Sequence, residues 1–221
     1  MRALLPLLAA LTGLAGVAYA DAPATAVDPD ARYQALLAAA QAGGPDVDWG
    51  ALRTAYAARP EFKVFAQSPA KRRMFEAAGD CAAALPAARE VLADRFIDAD
   101  AHMIAAFCED SAGQADAATR DRTIGAGLVR SMQSGDGLSP AAAFNVVDVD
   151  EEYSLMRAMG LKVDEQALIH AGGHAYDALT AIDQAGHKAT YYVLVDRVLA
   201  AEAASLAPGS VSEGGPPDRT P

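Results

Sequence analysis

The chain is poor in aromatic residues, in cysteine and in positive charge, and it has no long apolar run beyond its first twenty residues. Aromatics are 6% of 221 residues, with Trp49 the single tryptophan. Alanine dominates the apolar fraction, which favours thin, closely approaching helices over a thick aromatic core. There are 18 basic against 29 acidic side chains and a formal net charge of −11. So acidic a surface repels phosphate backbones and anionic lipid, which argues against nucleic acid or a membrane surface as partner. The sequence also lacks GxSxG, HExxH, a phosphate-binding P-loop and GxGxxG. None of the specific hydrolase, zinc-protease or nucleotide signatures is therefore present, and no cofactor is implied.

The apolar run that does exist lies at the start, MRALLPLLAALTGLAGVAYA. Arg2 precedes an apolar stretch from Ala3 to Val17, and Ala18-Tyr19-Ala20 places small residues where signal peptidase inspects. The run is short of the roughly 20 residues needed to span a bilayer, and Pro6 interrupts it. Residues 1–20 are thus expected to be a signal peptide cleaved before Asp21. The mature chain is expected in the periplasm or outside the cell, with no membrane span.

Export puts Cys81 and Cys108 in an oxidising compartment, where an even count reads as a disulfide. They are not spaced as a CxxC redox pair, and no His–Cys cluster supplies the further ligands of a zinc site.

The mature sequence reads as α+β and predominantly helical. Residues 21–29 are a linker. Residues 30–134 form helical hairpins, with starts at Asp48 and at Ser68-Pro69, and helices over Cys81–Asp94, Ala99–Glu109 and Gln114–Ser134. Pro86 is expected to delay or kink the first of these. In an antiparallel pair turning near Phe96, Cys81 and Cys108 fall side by side. Residues 135–202 form a small α+β unit packed on the helices as one composite domain. It begins with a strand over Phe144–Val149. A helix follows, capped by Asp148 or Asp150, and then a C-terminal hairpin of Thr180–Ile182 and Thr190–Val195. The sheet is expected to be antiparallel. The Pro/Gly/Ser-rich segment 203–221 reads as a disordered tail.

Four constellations can carry chemistry, each with a structural alternative. His102 follows Asp98 by four residues on a helix, a spacing that orients an imidazole for general-base work or merely serves a cap. Gly135-Asp136-Gly137 can face an anion or a metal, or stop one helix with Gly135 at its C′ position before Ser139-Pro140 starts the next turn. Asp148, Asp150, Glu151 and Glu152 can hold a paired acid and base, or serve the dipole of a helix start. His170 and His174 have the spacing of a helical metal pair, but Gly172-Gly173 between them oppose a helix.

Ser134-Gly135-Asp136-Gly137, Ser139, Ala143-Phe144, Val147, Glu152-Tyr153 and Leu155 together resemble the signature of the domain-of-unknown-function 4919 family of bacterial proteins. The resemblance extends upstream through Tyr33, Leu52-Arg53, Tyr56 and Phe96-Ile97-Asp98 to His102. It runs from about Ala31 to Asp196, departing from the family at Val193-Leu194-Val195. It implies the same layout of helices followed by a small α+β unit, and it brings no catalytic residues. The hairpins, with Gly79-Asp80 before one helix and Asp98-Ala99-Asp100-Ala101-His102 in its partner, are also similar to tetratricopeptide-type pairs.

The reading that follows is a non-enzymatic binding or scaffold protein of the bacterial envelope, with another envelope protein as its expected partner. The alternatives are a hydrolase-like enzyme with a site around His102, Arg130, Asp136 and Glu151/Glu152, and a metal-binding protein using His170 and His174. The first requires an exposed apolar patch, and the enzyme requires its side chains to converge in one cleft.

Overall fold

The computed structural model describes residues 28–43, 46–64 and 68–206. The expected signal peptide and most of the tail lie outside these residues. Eight α-helices are described: α1 Pro29–Ala42, α2 Trp49–Ala57, α3 Pro69–Glu76, α4 Cys81–Asp94, α5 Ala99–Ser111, α6 Ala115–Met132, α7 Val149–Ala158 and α8 Asp196–Ser205. Four strands accompany them: β1 Phe144–Asn145, β2 Lys162–Ala171, β3 His174–Ile182 and β4 Lys188–Leu194.

Helix starts follow local chemistry. Asp48, Ser68, Asp80, Asp98 and Asp148 each accept a hydrogen bond from a backbone N–H of the first turn they precede. These groups have no intrahelical acceptor, so a short polar side chain just before the helix satisfies one of them. Pro86 neither delays nor divides its helix. Helix α4 begins at Cys81 and carries the proline inside it, giving up the single bond to the Ala82 carbonyl. Cys81 and Cys108 form a disulfide. It joins the start of α4 to the end of α5 and fixes that pair as an antiparallel hairpin.

Consecutive helices α3 to α6 pack neighbour on neighbour. Ala70, Met74, Ala87, Ala88, Val91, Ala101 and Ala105 fill a small core between α3, α4 and α5. The main core joins α1, α2 and α6 to α7 and the sheet, through Leu52, Ile97, Leu128, Met132, Phe144, Leu155 and Leu179.

The sheet order is β1-β4-β3-β2, with β1 parallel to β4 and the other pairs antiparallel. It is therefore mixed rather than wholly antiparallel. The strand expected over Phe144–Val149 shrinks to two residues. Val146 and Val147 are buried, but the Val147 N–H donates to Glu151 instead of to a strand, and Asp148 already caps α7. The expected C-terminal hairpin is present and longer than its sequence pattern. A second hairpin, β2–β3, turns through Gly172 and Gly173, whose φ of 59° and 85° fit a two-residue primed turn. Helix α8 continues to Ser205, beyond the expected start of the tail at residue 203.

The junction SGDG has a backbone reason for each glycine. Helix α6 ends at Met132, so Gly135 is not its C′ residue. A Cβ at Gly135 would lie 2.2 Å from the Ala142 carbonyl oxygen. Gly137 has φ +74°, and a Cβ there would meet the Phe144 ring at 2.4 Å. Its N–H and carbonyl bond Ala142 and Tyr192, tying the loop to β4.

Candidate functional site

Helix α7 carries the carboxylate cluster, and its members part company by direction. Asp148 caps it, and its carboxylate meets the guanidinium of the partly buried Arg95. Burial raises the Asp148 carboxyl to about 6 despite that cation. Glu151 faces α2. Arg53 holds it with two parallel bonds, Nε to Oε1 at 2.8 Å and a terminal nitrogen to Oε2 at 2.6 Å. Arg53 also donates to the Asn145 carbonyl and to Ser131, so one guanidinium joins α2, α6, β1 and α7. Such a forked pair is satisfied on both sides.

Lys71 on α3 reaches Asp98 at 2.8 Å, Asp150 at 3.3 Å and Asp100 at 3.5 Å. Burial alone would lower the Lys71 ammonium, but the three carboxylates outweigh it and raise it. Asp100 also binds Arg157 and Ser154. A hollow of about 570 Å³ opens between α3 and α7 beside Lys71 and Tyr153. The ammonium in its wall is spoken for by the aspartates.

Glu152 is one residue on from Glu151 and points about 100° further around the helix, to the sheet. It is fully buried, and no side-chain or backbone N–H reaches either oxygen. Its neighbour is Asp177 on β3. Burial, then the Asp177 charge and its hydrogen bond, push the Glu152 carboxyl up to about 9. Glu152 is therefore held protonated near neutrality. Asp177 also accepts from Gln166 Nε2 at 2.6 Å, and Gln166 Oε1 accepts from the Tyr153 hydroxyl at 2.6 Å. Every donor in this chain has an acceptor.

His102 is buried on α5, and its side-chain partner is Asp121 rather than Asp98. Nδ1 lies 2.5 Å from Asp121 and Nε2 lies 2.8 Å from the Phe96 carbonyl. Asp98, at the helix cap, faces Lys71 instead. With both ring nitrogens against oxygen acceptors, neither is open to a substrate proton. Asp121 is in turn held by Arg89. Burial would raise the Asp121 carboxyl, but the bonds from His102 and Arg89 outweigh it and lower it.

The residues of the hydrolase-like reading are not brought together. His102 lines a hollow between α4 and α6, and Arg130 lines a different one. Asp136 is exposed and accepts from the Leu138 N–H, closing its own turn. Neither Arg130 nor His102 is its partner. Glu151 is engaged by Arg53, and Glu152 by Asp177. His170 lies opposite Ala175 and His174 opposite Ala171 across the β2–β3 hairpin, so they stand on opposite faces of it. His174 pairs with Asp196 at 2.5 Å. Among the described residues no group of three or more His, Cys, Asp or Glu is arranged to hold a metal.

What the sequence reading missed is an apolar groove. Phe107 is 63% exposed, Met103 42% and Phe75 38%. They border a hollow of about 340 Å³ between α3 and α5, together with Ile104. A second hollow of about 480 Å³ adjoins it toward α6, and the two share Asp100, Met103 and Arg157. The Arg157 guanidinium lies 5.1 Å from the Phe75 ring centroid. The signal was present in α5. Ala101, Ala105 and Cys108 form its buried stripe, while Met103 and Phe107 recur at i, i+4 on another face. A helix apolar on both sides is either wholly buried or carries a docking face.

The family model of a domain of unknown function (DUF4919) matches residues 54–203, which is 150 of the 221 residues. The matched span takes in α3 to α7 and the whole sheet. No curated protein and no solved structure gives a significant match.

Proposed function

We propose that this protein, which belongs to the DUF4919 family, is an exported, non-enzymatic binding or scaffold protein of the bacterial envelope. The observation that carries the reading is the groove of Phe75, Met103, Ile104 and Phe107. It holds large apolar side chains in water on a helical face that is otherwise well satisfied, and such patches mark interaction sites. The helices α3 to α6, stacked neighbour on neighbour, are read as tetratricopeptide-like hairpins that present this face. Export rests on the N-terminal sequence and on the Cys81–Cys108 disulfide, which an oxidising compartment maintains. Among the described residues no helix is long and apolar enough to cross a membrane.

A photo-reactive amino acid placed at Phe107 in the native host tests the reading. Discrete covalent adducts are expected at that position, and none from the same probe at Leu168, an exposed apolar residue on β2. No adduct at 107 overturns it.

A further inference from the structure

The charges around the groove say more than its hydrophobicity. The whole chain carries −11, yet the exposed charged residues that line the two hollows, Arg130 and Arg157, are both arginines. Arg130 is exposed at the mouth of the second hollow and forms no ion pair among the described residues. The Arg157 side chain is 44% exposed where the two hollows meet. Asp100, the carboxylate in both hollows, is 11% exposed and already bonded to Arg157, Ser154 and Lys71. Arg72 lines the adjoining hollow between α3 and α7, which shares Phe75 and Arg157 with this groove, and its side chain is 72% exposed. Its one carboxylate, Glu76, lies at 3.8 Å and is itself exposed, so water screens that pair strongly.

We infer that this groove docks an amphipathic helix of another protein whose apolar face is flanked by acidic residues. The inference rests on the binding reading above and names its partner's chemistry. The groove runs between helix ridges, into which the ridges of a third helix fit. It has no strand edge. An extended peptide lying there would press unpaired backbone N–H and C=O groups against phenylalanine and methionine, whereas a helix satisfies its own. The arginine rim sets the sign. An acidic flank is attracted to Arg72, Arg130 and Arg157 and finds no competing free carboxylate in the groove. A basic flank meets the unpaired Arg130 at close range, with Arg157 and Arg72 beside it, and the acidic chain only at a distance, where salt screens it.

The test is a displayed library of 18-residue helices with apolar residues fixed at i, i+3, i+4 and i+7 and random flanks, selected against the mature protein. Selected peptides are expected to carry Asp and Glu beside the apolar stripe and to weaken as salt rises. The double variant Arg72→Glu/Arg130→Glu is expected to bind them about tenfold less tightly. Both arginines are exposed, so the variant keeps the fold, which circular dichroism checks. The Phe107→Glu variant is expected to bind none. Enrichment of neutral or basic flanks, or no enrichment, overturns the inference. So does equally tight binding to phosphatidylglycerol vesicles that Phe107→Glu abolishes, because the occupant is then lipid. If adducts form at position 107 while the selected flanks are not acidic, the groove stands as a binding site and only its occupant is wrong.

Discussion

Glu151 and Glu152 are adjacent, equally buried and on one helix, yet they solve opposite problems. Glu151 faces the helical layer, where Arg53 meets it with a forked pair and the Val147 N–H adds a third bond. Glu152 faces the sheet, where no cation reaches it and a second carboxylate, Asp177, lies beside it. One side of α7 neutralises charge with charge, and the other does so by retaining a proton. The same contrast separates the two halves of the molecule. Arg53, Lys71, Arg89 and Arg95 knit the helices together by ion pairs, whereas at the helix–sheet seam Glu152 is buried without a cation and keeps its proton.

The comparison breaks first at Arg53. Arg53→Ala leaves the Glu151 carboxylate buried without its cation, and the cost is expected to be about 3–5 kcal/mol. Urea denaturation measures it, and a loss under 1 kcal/mol would show that the pair is not a structural centre. Arg53→Ala with Glu151→Gln should recover part of the loss, since the orphaned charge is gone.

Reducing the Cys81–Cys108 disulfide acts within the helical half alone. It is expected to cost about 2–4 kcal/mol by loop-closure reckoning, without changing how stability varies with pH. Thiol labelling of the unreduced, unfolded protein should find neither sulfhydryl. A changed pH profile after reduction would mean that the two halves are coupled more tightly than their separate networks indicate.

The smallest expected effect sharpens the contrast most. Glu152 keeps its proton in the fold up to about pH 9, while an unfolded glutamate loses it near 4.3. Between those values unfolding releases a proton, so this residue's contribution is complete below about pH 4 and declines as pH rises toward 9. Glu152→Gln cannot ionise and still donates to Asp177. It is expected to be about 1–3 kcal/mol more stable than the parent at pH 8, with no gain at pH 4. The matching Glu151→Gln should lose stability at both pH values. If Glu152→Gln is destabilising at pH 8, Glu152 is ionised in the fold and the retained proton is wrong.

Much of the fold was legible because helix boundaries are written locally. The cap at Asp48, the Ser68-Pro69 start and the Asp148 cap each depend on residues within one turn. The disulfide was legible because an antiparallel pair brings Cys81 and Cys108 to one end. Strand β2 was not. Its edge position leaves most of its residues exposed, so it shows neither alternation nor an apolar run. The bulge at Asp164, tied to Lys188, guards that open edge with charge. The partner of His102 was not legible either. Asp98 sits at helical spacing from it, but Asp121 comes from the next helix, and only packing decides between them. The groove was hidden by its own composition, since Met103 and Phe107 look like core until the helix is given a solvent face.

The parallel pairing of β1 with β4 also sets an order of events. Phe144 finds its sheet partner at Val193, 49 positions later in the chain. Helices α3 to α6 find their main packing partners in the next helix along the chain, whereas β1 must wait for two hairpins to emerge. A chain growing from its N-terminus can close the helical stack and its disulfide while Phe144, fully buried in the finished molecule, is still looking for cover. The last strand to be made completes the first, so a chain shortened before Lys188 loses β1 along with β4 and keeps only the β2–β3 pair.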